Sequence, residues 1–407
     1  MTSICGWRLA LPTLVCCLCV CGTAKADGTR ARDLGIPFGG EPGALNALTD
    51  VAGVEVGQVT LVDGAGELVV GEGPVRTGVT VVHPRGKEST EGVFAGWFTL
   101  NASGEMTGTT WLEERGLIEG PLAITNTHSV GVVRDAAVDW MVRAGWSADW
   151  HAPVVAETYD GGLNDINGFH VTREHALEAM RKAESGPLEE GAVGGGTGMV
   201  CNGFKGGIGT ASRRFEAGGR QFTLGVLVQC NYNWDGDDLR LGGRRVDHLL
   251  PVGRHCFTDR AIERHVDWYP YCDDPEQVTA SGASRDGSII VIIATDAPLL
   301  PHQLARVAKR PSLALGRLGA ISTAGSGDIF VAFSTANRGR IDEAEFTEVA
   351  AFPNYLLNPV FRAAMQATEE AIVNAMAAAD TVVGASGFRV EEMPEEQVRA
   401  LFGEGSD

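Results

Sequence analysis

The chain has 407 residues, of which 44% are hydrophobic, and a formal net charge of −19 at pH 7. A chain of this length and apolar content can bury a large core, in one big domain or two ordinary ones, which excludes a disordered protein. The acidic balance excludes nucleic acid as an expected partner, because binding to a phosphate backbone requires a basic face.

The first 26 residues are typical of a secretory signal peptide. Arg8 precedes an apolar stretch over residues 9–21, and Ala24-Lys25-Ala26 matches the small-x-small pattern of a signal peptidase site. Because the apolar stretch is short for a helix that spans a bilayer, we expect removal of the segment and no stable membrane anchor. The sequence therefore predicts an exported protein, either periplasmic or secreted.

Four cysteines remain after removal of this segment, at positions 201, 230, 256 and 272. In an oxidising compartment Cys256 and Cys272 are candidates for a local disulfide, although their spacing alone does not decide it. Neither the cysteines nor the histidines have the spacing of a metal site, so we expect no metal and no other cofactor.

The predicted elements follow a glycine- and proline-rich segment, residues 27–46, that we expect to form an ordered arm or surface loop. Short β-branched or apolar runs predict strands, and apolar residues at helical spacing predict helices. In chain order these are strands 51–61, 75–83, 93–100 and 121–126, helices 129–144 and 172–185, strands 222–229 and 288–294, helix 301–309, strand 329–334 and helix 359–379. The mixed order indicates a layered domain in which helices cover both faces of central sheets.

Residues 191–209 form the most glycine-rich segment of the chain. The segment lacks the glycine spacing of a dinucleotide-binding loop, and Lys205 lacks the Ser or Thr that follows it in a phosphate-binding loop. We interpret it as a close-approach loop that lines a pocket, where backbone N–H groups face a ligand. The later run Asp235-Gly-Asp-Asp lacks the ligand spacing of a calcium loop, so we expect a solvated loop there.

Gly287 and Ser288 stand directly ahead of the most apolar predicted strand. If the bond between them is cut, the strand begins with a serine that carries both a hydroxyl and a free α-amine. An α-amine has a pKa of about 8 and can serve as the base that a serine hydroxyl needs near neutral pH. Glycine leaves the scissile carbonyl unshielded and tolerates unusual backbone angles. On this dipeptide alone, a turn glycine and a capping serine remain the ordinary interpretation.

Further motifs accompany this dipeptide, namely Arg32-Asp-Leu-Gly-Ile, Asn126-Thr-His-Ser-Val-Gly, Glu157-Thr-Tyr-Asp-Gly, Cys201-Asn-Gly-Phe-Lys-Gly-Gly-Ile-Gly-Thr and Gly325-Ser-Gly-Asp. Through them the chain resembles peptidase family S58, the self-processing aminopeptidases of the D-aminopeptidase/esterase and β-peptidyl aminopeptidase type. The resemblance implies an α+β fold, a four-layer αββα sandwich like that of the N-terminal-nucleophile hydrolases but differently connected. It also implies self-cleavage into an α chain, residues 27–287, and a β chain, residues 288–407, within a homo-oligomer of αβ heterodimers.

The resemblance assigns roles to four residues of the predicted reaction centre. It makes Ser288 the nucleophile and its freed amine the proton acceptor, with Ser326 and Asp328 orienting that amine. It makes Asn231 the donor that stabilises the oxyanion. Without the resemblance, Ser326 and Asp328 indicate a glycine-flanked turn, and Asn231 indicates a turn at the end of a strand.

Glu157 and Tyr159 lie two residues apart, so in an extended segment their side chains face the same side and reach one pocket. The resemblance implies that Glu157 binds the ammonium group of the substrate and that Tyr159 borders the site and assists the oxyanion or the leaving group. The alternative is a solvated glutamate and a packed tyrosine.

Together these features predict an exported serine aminopeptidase that cuts itself at Gly287-Ser288. It is expected to release N-terminal residues from short peptides, amides or esters with a free amino terminus, through an acyl-enzyme. Two alternatives remain: an acyltransferase of the ornithine acetyltransferase type, and an uncleaved secreted protein that binds a small ligand. The preference for L-, D- or β-amino acids, the number of subunits and the role of residues 232–286 remain open.

Overall fold

The computed structural model describes residues 28–274, 287–337 and 346–403, together with Met1. The signal peptide predicted over residues 1–26 lies outside the described part of the chain, apart from Met1. In the described ranges, no helix combines the length and the apolar character needed to cross a membrane.

The α-helices are α1 (Thr109–Arg115), α2 (Val130–Ala144), α3 (Arg173–Lys182), α4 (Pro301–Ala308), α5 (Pro311–Arg317), α6 (Leu357–Ala377) and α7 (Glu395–Phe402). The strands are β1 (Glu55–Asp63), β2 (Val75–His83), β3 (Val93–Ala102), β4 (Leu117–Ile118), β5 (Leu122–Asn126), β6 (Val154–Thr158), β7 (Val200–Cys201), β8 (Phe204–Lys205), β9 (Gly207–Ala217), β10 (Arg220–Asn231), β11 (Arg240–Leu241), β12 (Arg244–Arg245), β13 (Cys256–Phe257), β14 (Ser288–Thr295), β15 (Gly327–Ser334), β16 (Val382–Val383) and β17 (Phe388–Val390).

Two mixed sheets form the centre of the molecule. The four-stranded sheet has the order β1-β2-β5-β6, and the six-stranded sheet has the order β4-β3-β15-β14-β10-β9. Strands β5 and β6 run parallel, as do β14 and β15, whereas the other pairs in both sheets are antiparallel. Parallel neighbours need long crossover connections, which here carry helices.

The sheets and helices form four layers, which confirms the predicted αββα sandwich. Between the sheets, Ile124 of β5 shares a core cluster with Ile290 and Ile292 of β14. The neighbouring residues of β14, such as Val291, face the opposite way and pack in a cluster with α4, α5 and α6. Helices α2 and α3 cover the outer face of the four-stranded sheet. A strand that is buried on both faces explains the uninterrupted apolar run of β14.

Most predicted elements are confirmed, and two of them need correction. Residues 48–50 form a short 3-10 turn, and the strand predicted from residue 51 begins at Glu55. The helical spacing of residues 359–379 predicts that Phe361, Met365, Ile372 and Met376 form one core-packing stripe. Helix α6 buries Ile372 and Met376 but leaves Phe361 only half-buried, so its packing face differs from that stripe. Alanine is the commonest residue on the buried face, and α6 lies so close to β9 that a Cβ on Gly209 would approach the Ala371 carbonyl oxygen to 2.0 Å.

The N-terminal arm is ordered, as predicted, because charged side chains tie it to the core. Arg32 forms a bidentate pair with Glu370 of α6 at 2.7 Å, and Arg30 pairs with Glu190 at 2.8 Å. Both carboxylates are almost fully buried, so each one requires its cationic partner. The arm thereby fastens α6 and the glycine-rich loop to the rest of the domain.

Candidate active site

Backbone pairing in the six-stranded sheet brings the predicted reaction centre together. Ser288 is the first residue of β14, and it lies opposite Asn231 at the end of β10 on one side. On the other side it lies opposite Gly327 at the start of β15. Ser326 and Asp328 flank Gly327, so four residues that are distant in the sequence meet at one end of three adjacent strands.

Ser288 is 6% exposed and lies next to its own preceding carbonyl group. The backbone N–H of Gly327 donates to the Ser288 Oγ atom at 3.2 Å and to the Gly287 carbonyl oxygen, also at 3.2 Å. One donor therefore contacts both the hydroxyl and the carbonyl of the bond that is predicted to break.

The Ser326 hydroxyl donates to the Oδ1 atom of Asp328 at 2.6 Å. Burial raises the pKa of Asp328, and the hydrogen bond from Ser326 opposes that shift. The second carboxylate oxygen, Oδ2, has no hydrogen-bond partner among the described residues. Asp328 thus offers an open acceptor atom one residue beyond Gly327, which pairs with Ser288.

Gly287 is required for steric reasons. A Cβ atom at this position would lie 2.0 Å from the Asn231 carbonyl oxygen and 2.6 Å from the Tyr232 Cα atom. Its φ angle lies outside the left-handed region, so the conformational freedom expected from the sequence is not what this position uses. The backbone of β10 approaches the bond before Ser288 too closely for any side chain.

The Asn231 side chain is fully buried and held at both ends. Its Nδ2 atom donates to the Tyr159 carbonyl oxygen at 2.8 Å, and its Oδ1 atom accepts from the Val200 N–H at 2.9 Å. The amide therefore joins the six-stranded sheet to the end of β6 and to the glycine-rich loop. An amide NH₂ carries two hydrogens, so one donor remains after the bond to Tyr159.

Glu157 lies on β6 of the four-stranded sheet and is 4% exposed. Its carboxylate accepts from the Glu105 N–H at 2.9 Å and from the Thr127 hydroxyl. Burial raises its pKa, while these two hydrogen bonds act in the opposite direction. A Cβ atom on Gly104 would lie 3.1 Å from the carboxylate and 3.3 Å from the Gly327 Cα atom, so Glu157 borders the reaction centre.

Tyr159 lies just beyond the end of β6, and its side chain is partly exposed. Its hydroxyl lies over Gly161, where an added Cβ atom would meet it at 2.4 Å. Burial raises the pKa of the phenol. The backbone carbonyl of Tyr159 contacts Asn231, whereas no described hydrogen bond links its hydroxyl to Ser288. A role for the phenol therefore remains a prediction.

The glycine-rich loop is buried, and its N–H groups contact protein atoms. Gly194 N donates to the Thr60 hydroxyl at 2.8 Å, and Gly195 N donates to the Thr80 hydroxyl at 3.2 Å. The prediction that these groups face a ligand is wrong for both positions. The glycines serve close packing instead, since a Cβ atom on Gly195 would lie 2.2 Å from the Gln229 Oε1 atom.

The described segment after Asn231, residues 232–274, packs against the turn that follows β6. Its Cys256–Cys272 disulfide forms, with Cα atoms 4.9 Å apart. Trp234 lies over Gly162, where an added Cβ atom would be 2.7 Å from the indole. Asp235 is buried and accepts from the Tyr269 hydroxyl at 3.0 Å, so the predicted solvated loop is wrong at this residue.

Sequence reasoning missed a second disulfide, Cys201–Cys230, whose Cα atoms are 5.6 Å apart. It joins the glycine-rich loop to β10 at the residue before Asn231. The predicted mature chain has four cysteines, so pairing Cys256 with Cys272 leaves Cys201 and Cys230 to pair with each other. That count is the sequence signal for the second disulfide.

A cavity of about 150 Å³ opens beside Gly287. Tyr232, Ser326 and Asp328 line it from the reaction centre, and Leu315 and Ile321 line it from the segment after α4. Within the described ranges, no three His, Cys, Asp or Glu side chains are grouped as a metal site requires. The cavity thus adjoins the reaction centre on the side of Gly287, Ser326 and Asp328, whereas Ser288, Asn231 and Glu157 are not among its lining residues.

Comparison with known proteins agrees with this geometry. The profile of peptidase family S58 matches residues 46–390. The chain is 54% identical to beta-peptidyl aminopeptidase BapA of Sphingosinicella microcystinivorans over 399 residues, 97% of each chain.

Two solved structures have the same fold. A beta-aminopeptidase from Burkholderia sp. matches with a TM-score of 0.77 and 43% identity over 92% of this chain and 99% of that one. The L-aminopeptidase D-Ala-esterase/amidase from Ochrobactrum anthropi, described as a prototype for the serine aminopeptidases and a variant of the Ntn hydrolase fold, matches with a TM-score of 0.79 and 43% identity over 91% of this chain and 97% of that one. These matches favour hydrolysis over the acyltransferase and binding-protein alternatives. The chain therefore belongs to peptidase family S58 and is a serine aminopeptidase of the Ntn hydrolase type.

Proposed function

We propose that this aminopeptidase is exported and is activated by its own cleavage between Gly287 and Ser288. The observation that carries the proposal is the Gly327 N–H, which lies 3.2 Å from both the Ser288 Oγ atom and the Gly287 carbonyl oxygen. The attacking oxygen and the carbonyl under attack thus share one hydrogen-bond donor, which is suited to stabilise negative charge on the carbonyl oxygen.

Cleavage would proceed in two steps, an N-to-O acyl shift and the hydrolysis of the resulting ester. Ser288 Oγ attacks the Gly287 carbonyl carbon, the C–N bond breaks, and the Ser288 nitrogen takes up the hydroxyl proton to become an amine. Water then hydrolyses the resulting ester, which returns the Ser288 hydroxyl and leaves a carboxyl group on Gly287. The products are an α chain that ends at Gly287 and a β chain that begins with Ser288.

In turnover, the freed amine of Ser288 would accept the proton of its own hydroxyl as Oγ attacks the substrate carbonyl. The hydrogen that Asn231 Nδ2 does not donate to Tyr159 would stabilise the oxyanion. Asp328 and Ser326 would hold the amine in place, since Asp328 Oδ2 is a buried acceptor without a partner among the described residues. The acyl-enzyme then forms as the leaving amine departs, and water releases the N-terminal residue.

Glu157 would restrict the reaction to substrates with a free amino terminus. It is a buried carboxylate beside the reaction centre, and it gains a charge-assisted hydrogen bond from an ammonium group but has no countercharge when the terminus is blocked. The cavity of about 150 Å³ suits small residues. With the names of the relatives, this supports short peptides, amides or esters that begin with a small or β-amino residue.

Two disulfides support export. Cys201–Cys230 and Cys256–Cys272 pair all the cysteines that follow the predicted signal segment, and disulfides persist mainly in oxidising compartments. Together with the pattern of residues 1–26, they favour a periplasmic or secreted enzyme. We further propose that the cleaved αβ units assemble into a homo-oligomer.

Mass spectrometry and N-terminal sequencing of the purified protein test the proposal. The wild type should yield a fragment that begins with Ser288, whereas Ser288→Ala should remain one chain without peptidase activity. Ser89→Ala, which removes a hydroxyl far from the reaction centre, should be cut and active. An uncut wild-type chain with full activity, or an active Ser288→Ala variant, would refute the mechanism.

A further inference from the structure

Lys205 is a fully buried lysine that has no role in the reaction proposed above. Its Nζ atom donates to three backbone carbonyl oxygens of the glycine-rich loop: Met199 at 2.7 Å, Gly206 at 2.6 Å and Gly196 at 3.3 Å. Among the described residues, no carboxylate forms an ion pair with it. Burial lowers the pKa of the ammonium group to about 7. A buried charge without a countercharge is expensive, so its presence requires an explanation beyond packing.

The contact with Met199 leads directly to the reaction centre. The carbonyl of the Met199–Val200 peptide accepts from Lys205 Nζ and also from the Gly206 N–H at 2.9 Å. The N–H of the same peptide donates to Asn231 Oδ1 at 2.9 Å. A peptide group is planar and rigid, so holding its oxygen also fixes the direction of its N–H. One peptide unit therefore separates the ammonium group from the Asn231 amide.

We propose that Lys205 is a positioning residue that sets the orientation of the Asn231 amide for oxyanion stabilisation. This inference rests on the proposed function, in which Asn231 donates to the oxyanion.

The orientation of the amide decides whether Asn231 helps or hinders the reaction. With Oδ1 on the Val200 N–H, Nδ2 faces Tyr159 and keeps one hydrogen for the oxyanion. The reverse orientation would put the acceptor oxygen of the amide next to the developing negative charge. Because Lys205 polarises the Met199–Val200 peptide, it strengthens the hydrogen bond that excludes the reverse orientation.

The neighbouring disulfide does not make the lysine redundant. Cys201–Cys230 ties the loop to β10 one residue beyond Val200, and Asn202 N donates to the Tyr232 carbonyl at 2.8 Å. These contacts fix the path of the chain after Val200. The tilt of the Met199–Val200 peptide depends on the two donors to its carbonyl, the Gly206 N–H and Lys205 Nζ. Lys205 is the charged donor.

The test compares kcat and KM for Lys205→Met, which keeps the length of the side chain but removes its donors. Values are normalised to the fraction of chains that are cut. Because loss of an oxyanion donor costs about 10²–10³ in kcat, a misoriented donor should lower kcat on the order of tenfold, with KM little changed. Lys205→Gln, which keeps a neutral donor, should recover part of the loss. Lys182→Met makes the same change in an exposed surface pair and should have wild-type kinetics.

A double-mutant cycle with Asn231→Ala separates positioning from general destabilisation. If Lys205 acts through Asn231, adding Lys205→Met to Asn231→Ala should lower kcat no further. Additive losses would overturn the proposal, as would wild-type kcat in Lys205→Met. Failure of both Lys205 variants to fold would also count against it, since the lysine would then serve stability. If Asn231→Ala alone is fully active, the proposed oxyanion role fails instead, independently of Lys205.

Discussion

The two sheets contribute to the candidate site in different ways. The six-stranded sheet supplies the predicted reacting groups, Ser288, Asn231 and Asp328, from neighbouring strands whose pairing sets their positions. The four-stranded sheet supplies Glu157, whose carboxylate is held by contacts from two loops, through Glu105 and Thr127. In the proposed mechanism, chemistry thus depends on strand register, and recognition depends on a carboxylate that faces the centre from the other sheet.

This difference predicts that catalysis and substrate recognition can be changed separately. Several described hydrogen bonds join the two sheets: Asn231 donates to the Tyr159 carbonyl, and Gln229 of β10 donates to the Thr125 carbonyl and the Thr158 hydroxyl. The hydrogen bonds that hold the Glu157 carboxylate come instead from Glu105 and Thr127. Changes on the six-stranded sheet should therefore alter self-cleavage and kcat, whereas changes on the four-stranded sheet should alter KM and leave self-cleavage intact.

The largest effect is expected at Gly287 on the six-stranded side. Gly287→Ala adds a methyl group where the Asn231 carbonyl lies 2.0 Å away, so the bond before Ser288 has to move out of reach. We expect no detectable cleavage by gel or mass spectrometry, and hence no peptidase activity. Gly131→Ala adds the same methyl group in open space on α2 and should be cut normally. Normal processing of Gly287→Ala would show that the pairing of β10 and β14 does not govern cleavage.

A smaller and different effect is expected from Glu157→Gln on the four-stranded side. The variant should cut itself at the normal rate, because the carboxylate makes no contact with the Gly287–Ser288 bond. Its kcat/KM should fall about 10- to 100-fold through KM, since a charge-assisted hydrogen bond is worth roughly 1.5–3 kcal/mol. Glu174→Gln, an exposed glutamate on α3, serves as the control. Loss of self-cleavage in Glu157→Gln would break the separation between the sheets.

The acid side of the pH profile should report Glu157 as well. Only the ionised carboxylate attracts an ammonium group, so kcat/KM falls as the pH drops through its pKa. Burial raises that pKa above the usual value for glutamate, so the fall should begin at a higher pH than for an ordinary glutamate. Thr127→Val removes a hydrogen bond that lowers the pKa, and should move the fall to still higher pH. An unchanged profile in Thr127→Val would argue that another group titrates.

The sequence predicts the elements that depend on local contacts well. It does not predict the contacts between residues that are distant in the sequence. Strand β2 was predicted with its observed bounds, and helix α2 to within one residue, because their apolar patterns are local. The pairing of Asn231 with Ser288 involves residues 57 positions apart, and no pattern in a short window specifies it. The roles of Ser326 and Asp328 came from the family resemblance, since their residues alone indicate a turn.

Lys205 illustrates why the buried polar contacts of the site could not be predicted from the sequence. A lysine in a glycine-rich segment is usually exposed, and the sequence contains no sign that three carbonyl groups surround Lys205. The glycines of the same loop were interpreted as donors to a ligand. Their real constraint comes from strands that are distant in the sequence and leave no room for a Cβ atom.

The smallest effect on catalysis is expected from the Cys256→Ala/Cys272→Ala double variant. This disulfide closes a loop of 16 residues within residues 232–274, away from Ser288, so its loss should lower the free energy of unfolding by about 3 kcal/mol and leave kcat unchanged. Cys201→Ala/Cys230→Ala is the matched comparison, because that disulfide adjoins Asn231 on β10 and its loss should lower kcat as well. Denaturant unfolding and steady-state kinetics on both variants give the two quantities. Equal losses of kcat would mean that residues 232–274 also hold the reacting groups in place. Strand register alone would then not account for their positions.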